Sequence, residues 1–104
     1  RMDQLTRLSI NHNFIMEIPV ELYKLTNLKV LELGSNGLEE IPQGLSNLRE
    51  LKKLDLARNQ ILTLPKEITT LSETLTELNI QGNRIPMEEI RWLVEAMPKT
   101  NIRY

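Results

Sequence analysis

Two carboxylates, one serine and the single histidine are the residues of this chain whose types could perform acid–base or nucleophilic chemistry. Glu32 and Asp55 stand 23 positions apart and, if brought together, could act as a general acid and base. Ser9, His12 and Asp55 supply the residue types of a nucleophilic triad. Whether either set can assemble depends on the segments that carry these residues.

Those segments are copies of one another. The stretch Leu28–Glu50 contains aliphatic residues and one asparagine in an order that recurs before it and after it. The copies begin at Leu5, Leu28, Leu51 and Leu75, so the step is 23, 23 and then 24 residues. A fixed step in the range of about 20–50 residues is typical of a solenoid or another repeat array.

The order of residue types within a copy resembles the leucine-rich repeat, whose pattern is LxxLxLxxNxL. In the second copy the matching residues are Leu28, Leu31, Leu33, Asn36 and Leu38, followed by a tail of the form IPxxLxxL. This tail resembles the 23-residue class of intracellular leucine-rich proteins, with its Ras-pathway scaffold group and bacterial look-alikes. The resemblance covers nearly the whole chain.

The resemblance implies an α/β repeat solenoid. We expect a leucine-rich repeat arc with short parallel strands on its concave face and an irregular or 3-10 convex side, closed by a C-terminal helix and strand. The alternation Leu31-x-Leu33 also predicts a short strand with one buried face. The expected single domain covers residues 1–104, with repeats at 5–27, 28–50, 51–74 and 75–85 and a C-terminal cap at 86–104.

The fourth copy ends in a pattern that predicts the cap. Pro86 suits the first position of a helix, and Glu88 and Glu89 suit the positive end of its dipole. An apolar stripe at helical spacing is formed by Ile90, Leu93, Val94 and Met97. Pro98 is expected to end the helix, and residues 100–104 are expected to form a last strand.

Three apolar residues lie outside these patterns. Met2 stands three positions before Leu5, and the last apolar residue of the first copy likewise stands three positions before the second copy. Met2 therefore resembles the end of a preceding copy, which favours a C-terminal piece of a longer array over a short natural array. An uncapped N-terminal edge of this kind predicts self-association. Phe14 is either a contact residue or a cover for an upstream copy. Trp92 either anchors a partner or lies over the preceding convex loop.

One asparagine stands in each copy where the chain must leave its strand. Its side chain can bond the backbone groups that the turn leaves unpaired, so we expect a structural role for Asn13, Asn36, Asn59 and Asn83. The prolines at 19, 42 and 65 stand where no ladder donor is needed, and they are expected to stiffen the convex return.

The outward positions of the strands are free of packing, so they are the candidate binding residues. They form rows across the concave face, because adjacent strands lie about 4.8 Å apart. Glu32 and Asp55 should be neighbours, whereas Ser9 and Asp55 should be about 10 Å apart, too far for a triad. An open face also excludes little water, so we predict no catalysis. The candidate partner-binding residues are Ser9, Asn11, His12, Glu32, Ser35, Lys53, Asp55, Arg58, Glu77 and Asn79.

Composition narrows the class of partner and the compartment. A formal net charge of -1 argues against a nucleic acid or an anionic membrane as the partner. No apolar run approaches the ~20 residues of a membrane span. The absence of Cys and of Asn-x-Ser/Thr sequons favours a reducing, intracellular and cytoplasmic location, or a bacterial one. With one His and no Cys, no metal site or cofactor is expected.

Three functions are compatible with this sequence. The first is a protein–protein interaction module, a scaffold or regulatory arm in signalling, that binds another protein through the concave face. The second is the sensing or substrate-recognition part of a larger enzyme or immune-type receptor. The third is a purely structural end of a longer array, with binding upstream. The repeat pattern alone does not identify the partner, because fold does not determine function.

Overall fold

A computed structural model of the protein describes residues 4–41 and 43–104, so the predictions for Met2 and Pro42 lie outside the described residues. Parallel strands pair in chain order in one sheet: β1 Arg7–Ser9, β2 Val30–Glu32, β3 Lys53–Asp55, β4 Glu77–Asn79 and β5 Asn101–Arg103. On the return path of successive copies lie 3-10 helices at Val20–Lys24, Gln43–Asn47 and Lys66–Leu71. The α-helix α1, Met87–Ala96, precedes β5. This architecture confirms the α/β repeat solenoid.

The middle residue of each strand points into the core and forms one continuous aliphatic row. In register, these residues are Leu8, Leu31, Leu54, Leu78 and Ile102. The three central leucines are almost completely buried, whereas Leu8 and Ile102 are half-buried. Each central leucine has a neighbouring copy on both sides, so its burial depends on stacking. Truncating a core leucine of this kind to alanine costs about 2–5 kcal/mol.

Asn59 joins the turn of its own copy to the turn of the copy before it. It is only 3% exposed. Its Oδ1 accepts hydrogen bonds from the backbone N–H groups of Asn36 at 3.2 Å and Leu38 at 3.1 Å. Its Nδ2 donates to three carbonyl oxygens, those of Leu33, Leu56 and Ala57. One side chain thereby satisfies polar groups that two neighbouring turns would otherwise leave buried and unpaired.

The asparagines of the adjacent copies make similar bonds. The Oδ1 of Asn36 accepts from the N–H groups of Asn13 and Ile15. The Oδ1 of Asn83 accepts from the N–H of Ile61 at 3.0 Å. Asn13 differs, because its side chain is exposed and its Nδ2 donates to the carbonyl of Asn11 within the same turn. Its contribution to stability should therefore be smaller.

The closing helix differs from its prediction at two places. It begins at Met87 rather than Pro86, whose extended backbone leaves its carbonyl to accept from the N–H groups of Glu89 and Ile90. Val94 was predicted to face the core, but it is 40% exposed, and Ala96 packs against the core instead. The buried side of α1 is therefore centred on Leu93 and Met97, because a ten-residue helix at the end of the arc covers only a narrow strip.

Glu89 attaches α1 to the third copy. One carboxylate oxygen, Oε1, accepts from the hydroxyl of Thr63 at 2.8 Å and from the backbone N–H of Leu64 at 3.1 Å. The sequence predicted only a favourable interaction with the helix dipole at this position. Because hydrogen bonds to a charged acceptor are stronger than neutral ones, this side chain helps to set where the helix docks.

Replacing Asn59 with alanine should lower the free energy of unfolding by about 3 kcal/mol or more, because two buried N–H groups lose their acceptor. The matched control is Asn13→Ala, which removes an exposed side chain from the same repeat position and should cost less than about 1 kcal/mol. Urea unfolding followed by circular dichroism measures both. Equal losses in the two variants would contradict the assigned role of Asn59.

Candidate functional site

The outward side chains of the strands form two rows across the concave face. The first row is Arg7, Val30, Lys53, Glu77 and Asn101, and the second row is Ser9, Glu32, Asp55, Asn79 and Arg103. All of these residues except Ser9 line an open, shallow cavity of about 330 Å³. Glu32 and Asp55 are direct neighbours, as the repeat step predicts. The face therefore carries side chains of both signs within reach of one partner.

Two ion pairs lie within this face, and both are exposed. Nη2 of Arg7 lies 3.2 Å from Oε1 of Glu32, and Nζ of Lys53 lies 3.8 Å from Oε2 of Glu77. Exposed pairs of this kind contribute only about 0–1 kcal/mol to stability. A partner can therefore replace either pair with its own charges at little cost to the fold.

Asp55 and Asn79 have a second role, in the turns that follow their strands. The Oδ1 of Asp55 accepts from the backbone N–H of Ala57 at 2.9 Å, and the Oδ1 of Asn79 accepts from that of Gln81 at 3.0 Å. Such contacts with the residue two positions on stabilise a local turn. The second carboxylate oxygen of Asp55 has no hydrogen bond among the described residues and is available to a partner.

Asn11 and Ser9 are linked to each other and to the next copy. The Nδ2 of Asn11 donates to the hydroxyl of Ser9 at 3.2 Å. The Oδ1 of Asn11 accepts from the backbone N–H of Gly34 at 2.6 Å. Of the predicted binding residues, Asn11 therefore also bridges the first two copies, and its removal would disturb the turn as well as the surface.

The residue that follows the repeat position of Asn11 has a left-handed backbone conformation in each copy, which was not predicted from the sequence. His12, Ser35 and Arg58 have φ of 61°, 56° and 56°, and Gly82, at the same place in the fourth copy, has φ of 73°. This left-handed region costs a residue other than glycine about 1–2 kcal/mol. The glycine at position 82 could have indicated this conformation, since glycine adopts positive φ readily. The Nε of Arg58 donates to the hydroxyl of Ser35 at 3.0 Å, so the side chains of adjacent copies also interact here.

Four residues of the two rows are absent from the predicted binding set: Arg7 and Val30, on β1 and β2, and Asn101 and Arg103, on β5. Asn101 and Arg103 extend the face by one strand, because β5 pairs with β4 in the same register as the earlier strands. The inward aliphatic side chain of Ile102 could have indicated them, since its neighbours in a strand must point to the opposite face. Arg103 adds a positive charge at the end of the row that holds Glu32 and Asp55.

Of the two catalytic arrangements considered from the sequence, the structure brings together the carboxylate pair but not the triad. Ser9 and Asp55 are separated by the whole of β2, which is about 10 Å at two strand spacings. Glu32 and Asp55 are adjacent but face open solvent rather than an enclosed pocket. Within residues 4–41 and 43–104 there is no group of three or more His, Asp or Glu side chains placed to hold a metal ion.

The two aromatic residues left open by the sequence have different surroundings. Phe14 is 90% exposed and has φ of 55°. Trp92 is 37% exposed and lines a cleft with Leu64 and Lys66, which belong to the convex side of the third copy. Trp92 therefore borders the convex segment of the third copy, with part of its surface in solvent. In the part of the chain that the structure describes, no helix has the length and apolar character to cross a bilayer.

Comparison with known families and structures gives a consistent result. A family profile described as "Leucine rich repeat" matches residues 3–61, and a second, described as "Leucine Rich repeat", matches residues 71–85. A leucine-rich repeat protein of Leptospira interrogans is 35% identical, with a TM-score of 0.89 over 96% of this chain and 25% of its own. An internalin of Listeria monocytogenes is 35% identical, with a TM-score of 0.78 over 97% of this chain and 28% of its own. The chain thus spans about a quarter of the length of these structures. No curated protein matches it.

Two substitutions of Asp55 distinguish the effect of its hydrogen bond in the turn from the effect of its negative charge. Asp55→Asn keeps an oxygen that can accept from the N–H of Ala57, so it should change the free energy of unfolding by less than about 0.5 kcal/mol. Asp55→Ala removes that acceptor and should cost about 1–2 kcal/mol. Thermal unfolding of both variants beside the parent provides the measurement. If the two substitutions proved equally destabilising, the negative charge rather than the turn bond would be responsible.

Proposed function

Since the chain belongs to the leucine-rich repeat family, we propose that it binds another protein through the first and second rows of its concave face. Members of this family are generally protein-interaction modules, and the two solved structures share the fold over almost all of this chain. The observation that carries the proposal is the division of each strand. Its middle residue packs in the core, whereas its outward residues, with the exception of Ser9, line a shared, open cavity.

The chemistry of the two rows favours a polar partner surface of mixed charge. Arg7, Lys53 and Arg103 supply positive groups, and Glu32, Asp55 and Glu77 supply negative groups. Because the internal ion pairs are weak, their groups can pair with opposite charges on a partner. Complementary charges of this kind contribute to specificity and to the rate of association.

The left-handed backbone position gives independent support. Glycine would occupy it without strain, yet three successive copies carry His12, Ser35 and Arg58 there. Strained backbone at residues other than glycine is concentrated at functional sites. We therefore include these three side chains in the binding surface, together with the rows beside them.

The repeat class, the domain bounds and the cellular location are also part of this proposal. We assign the chain to the 23-residue class of repeats, with one domain over residues 1–104 and residues 86–104 as a C-terminal cap. The intracellular location expected from the sequence is kept, and no catalytic step is assigned to these residues. A sensing or substrate-recognition role within a larger enzyme or receptor is the second candidate. The full open reading frame distinguishes this candidate from the first, because any chemistry would lie outside these residues.

The proposal is tested by reversing charge on the concave face. The double variant Glu32→Lys, Glu77→Lys replaces the carboxylate of each ion pair with a positive charge. It leaves the hydrogen bond between Asp55 and the N–H of Ala57 intact. Its affinity for a partner captured from cell lysate should fall at least tenfold, because opposed like charges cost several kcal/mol. The measurement is a titration of the purified partner, after circular dichroism has verified that the variant is folded.

The control is the double variant Glu21→Lys, Glu67→Lys. It produces the same change in net charge on exposed residues of the 3-10 helices, away from both rows. Affinity should remain at the parental level. Loss of binding in the control, or full retention in the Glu32→Lys, Glu77→Lys variant, would remove the site from the concave face.

A further inference from the structure

A second surface lies between the 3-10 sides of the first and second copies. Its exposed apolar side chains are Met16, at 69% exposure, and Val20, at 67%. Together with Tyr23 and the acidic residues Glu17, Glu39 and Glu40 they line an open cavity of about 480 Å³, which we call the lateral groove. None of these six residues belongs to the two rows of the concave face.

The floor of the lateral groove is packed and well defined. Ile18 and Leu38 are buried beneath it. The ring of Tyr23 lies directly over Gly44, where an added β-carbon would come within 2.5 Å of the Cδ2 of that ring. Burial also raises the pKa of the Tyr23 hydroxyl. The absence of a side chain at Gly44 thus lets an aromatic ring form part of the floor.

The rim of the lateral groove is acidic. Glu17, Glu39 and Glu40 are all exposed, and no Lys or Arg of the described chain forms an ion pair with them. Three carboxylates that have no Lys or Arg partner among the described residues surround an apolar floor, so we expect a negative potential over the cavity. Such a potential attracts basic groups and raises the rate at which they associate.

The repeat itself does not require these apolar residues. The position of Val20 is occupied by Lys66 in the third copy, and that of Met16 by Glu39 in the second. Each aligned position therefore tolerates a charged residue without loss of the solenoid. Exposed apolar groups that packing does not require, surrounded by polar residues, are typical of an interaction site.

From this combination we propose that the lateral groove binds a polypeptide segment that has a large apolar side chain flanked by lysine or arginine. The apolar side chain contacts Met16, Val20 and the ring of Tyr23, and the basic groups pair with Glu17, Glu39 and Glu40. The cavity lies in the size range of about 300–1,000 Å³ that suits small ligands, which favours a short anchor over a broad interface. The concave face remains available to another partner.

The probe is a synthetic peptide array in which a central phenylalanine, leucine or tryptophan is flanked by zero to four lysines. Matched peptides carry glutamate in place of lysine. Binding of the purified chain should increase at least tenfold from zero to four lysines, and it should weaken as NaCl is raised, because screening reduces attraction between exposed charges. The glutamate series should not bind.

The location of the bound peptide is measured by NMR on the chain labelled with ¹³C at its methyl groups and uniformly with ¹⁵N. The best peptide should shift the methyl signals of Met16 and Val20, and it should leave the indole signal of Trp92 unchanged. Two double variants should each weaken binding at least tenfold: Met16→Gln, Val20→Gln removes the apolar contact, and Glu39→Lys, Glu40→Lys reverses the rim. All four side chains are exposed, so both variants should fold.

Leu62→Gln is the matched control. Leu62 stands at the repeat position of Met16, is also exposed, and does not line the lateral groove. Its replacement should leave peptide affinity unchanged. The charge-reversal variant of the concave face, Glu32→Lys, Glu77→Lys, should also bind the peptide with parental affinity, which separates this proposal from the previous one.

Several results would overturn the lateral-groove proposal. They are failure of every lysine peptide to bind, equal binding of the glutamate series, and shifts confined to residues of the strands. Unchanged affinity in both groove variants would do the same. A concentration-dependent shift of the Met16 signal without peptide, accompanied by dimer formation in sedimentation, would assign the groove to a second copy of the chain.

Discussion

A single copy of the repeat cannot satisfy its own polar groups or bury its own leucines, and the rest of the structure depends on this constraint. The turn that precedes Leu38 has its N–H groups bonded to Asn59 of the following copy. The inward leucines of the central strands have a neighbouring copy on both sides and are almost completely buried. The free energy of unfolding therefore depends on the interfaces between adjacent copies, as expected for a quasi-one-dimensional array.

The same constraint determines where binding chemistry can occur. Inward positions and turn asparagines are committed to stacking, so variation is left to the outward rows, to the left-handed position after each strand, and to the convex side. Asp55 and Asn11 are intermediate cases, since each belongs to the concave face and also bonds a backbone N–H. The charge of Glu32 or Glu77 can change without such a consequence, because their contacts are exposed ion pairs.

Much of this could be predicted from the sequence, because the repeat step specifies the register. Equal spacing of the leucines and asparagines predicts that Glu32 and Asp55 are neighbours and that Ser9 and Asp55 are not. The attachment of α1 by Glu89 and the exposure of Val94 could not be predicted, since both depend on how a single helix docks. The lateral groove was also missed. It depends on a close approach between Tyr23 and Gly44, which are 21 positions apart and at different places in their copies.

Shared asparagine side chains hold the turns of neighbouring copies together, and this is the central claim. Hydrogen exchange of the amides of Leu38 and Ile61, followed by NMR, tests it most directly, because both donate to an asparagine Oδ1 of the next copy. These two turn amides should exchange as slowly as the amide of Leu56, which donates within the strand ladder, and exchange of all three should require global unfolding. Exchange at the rate of an exposed loop would show that each turn opens independently, and would contradict the claim.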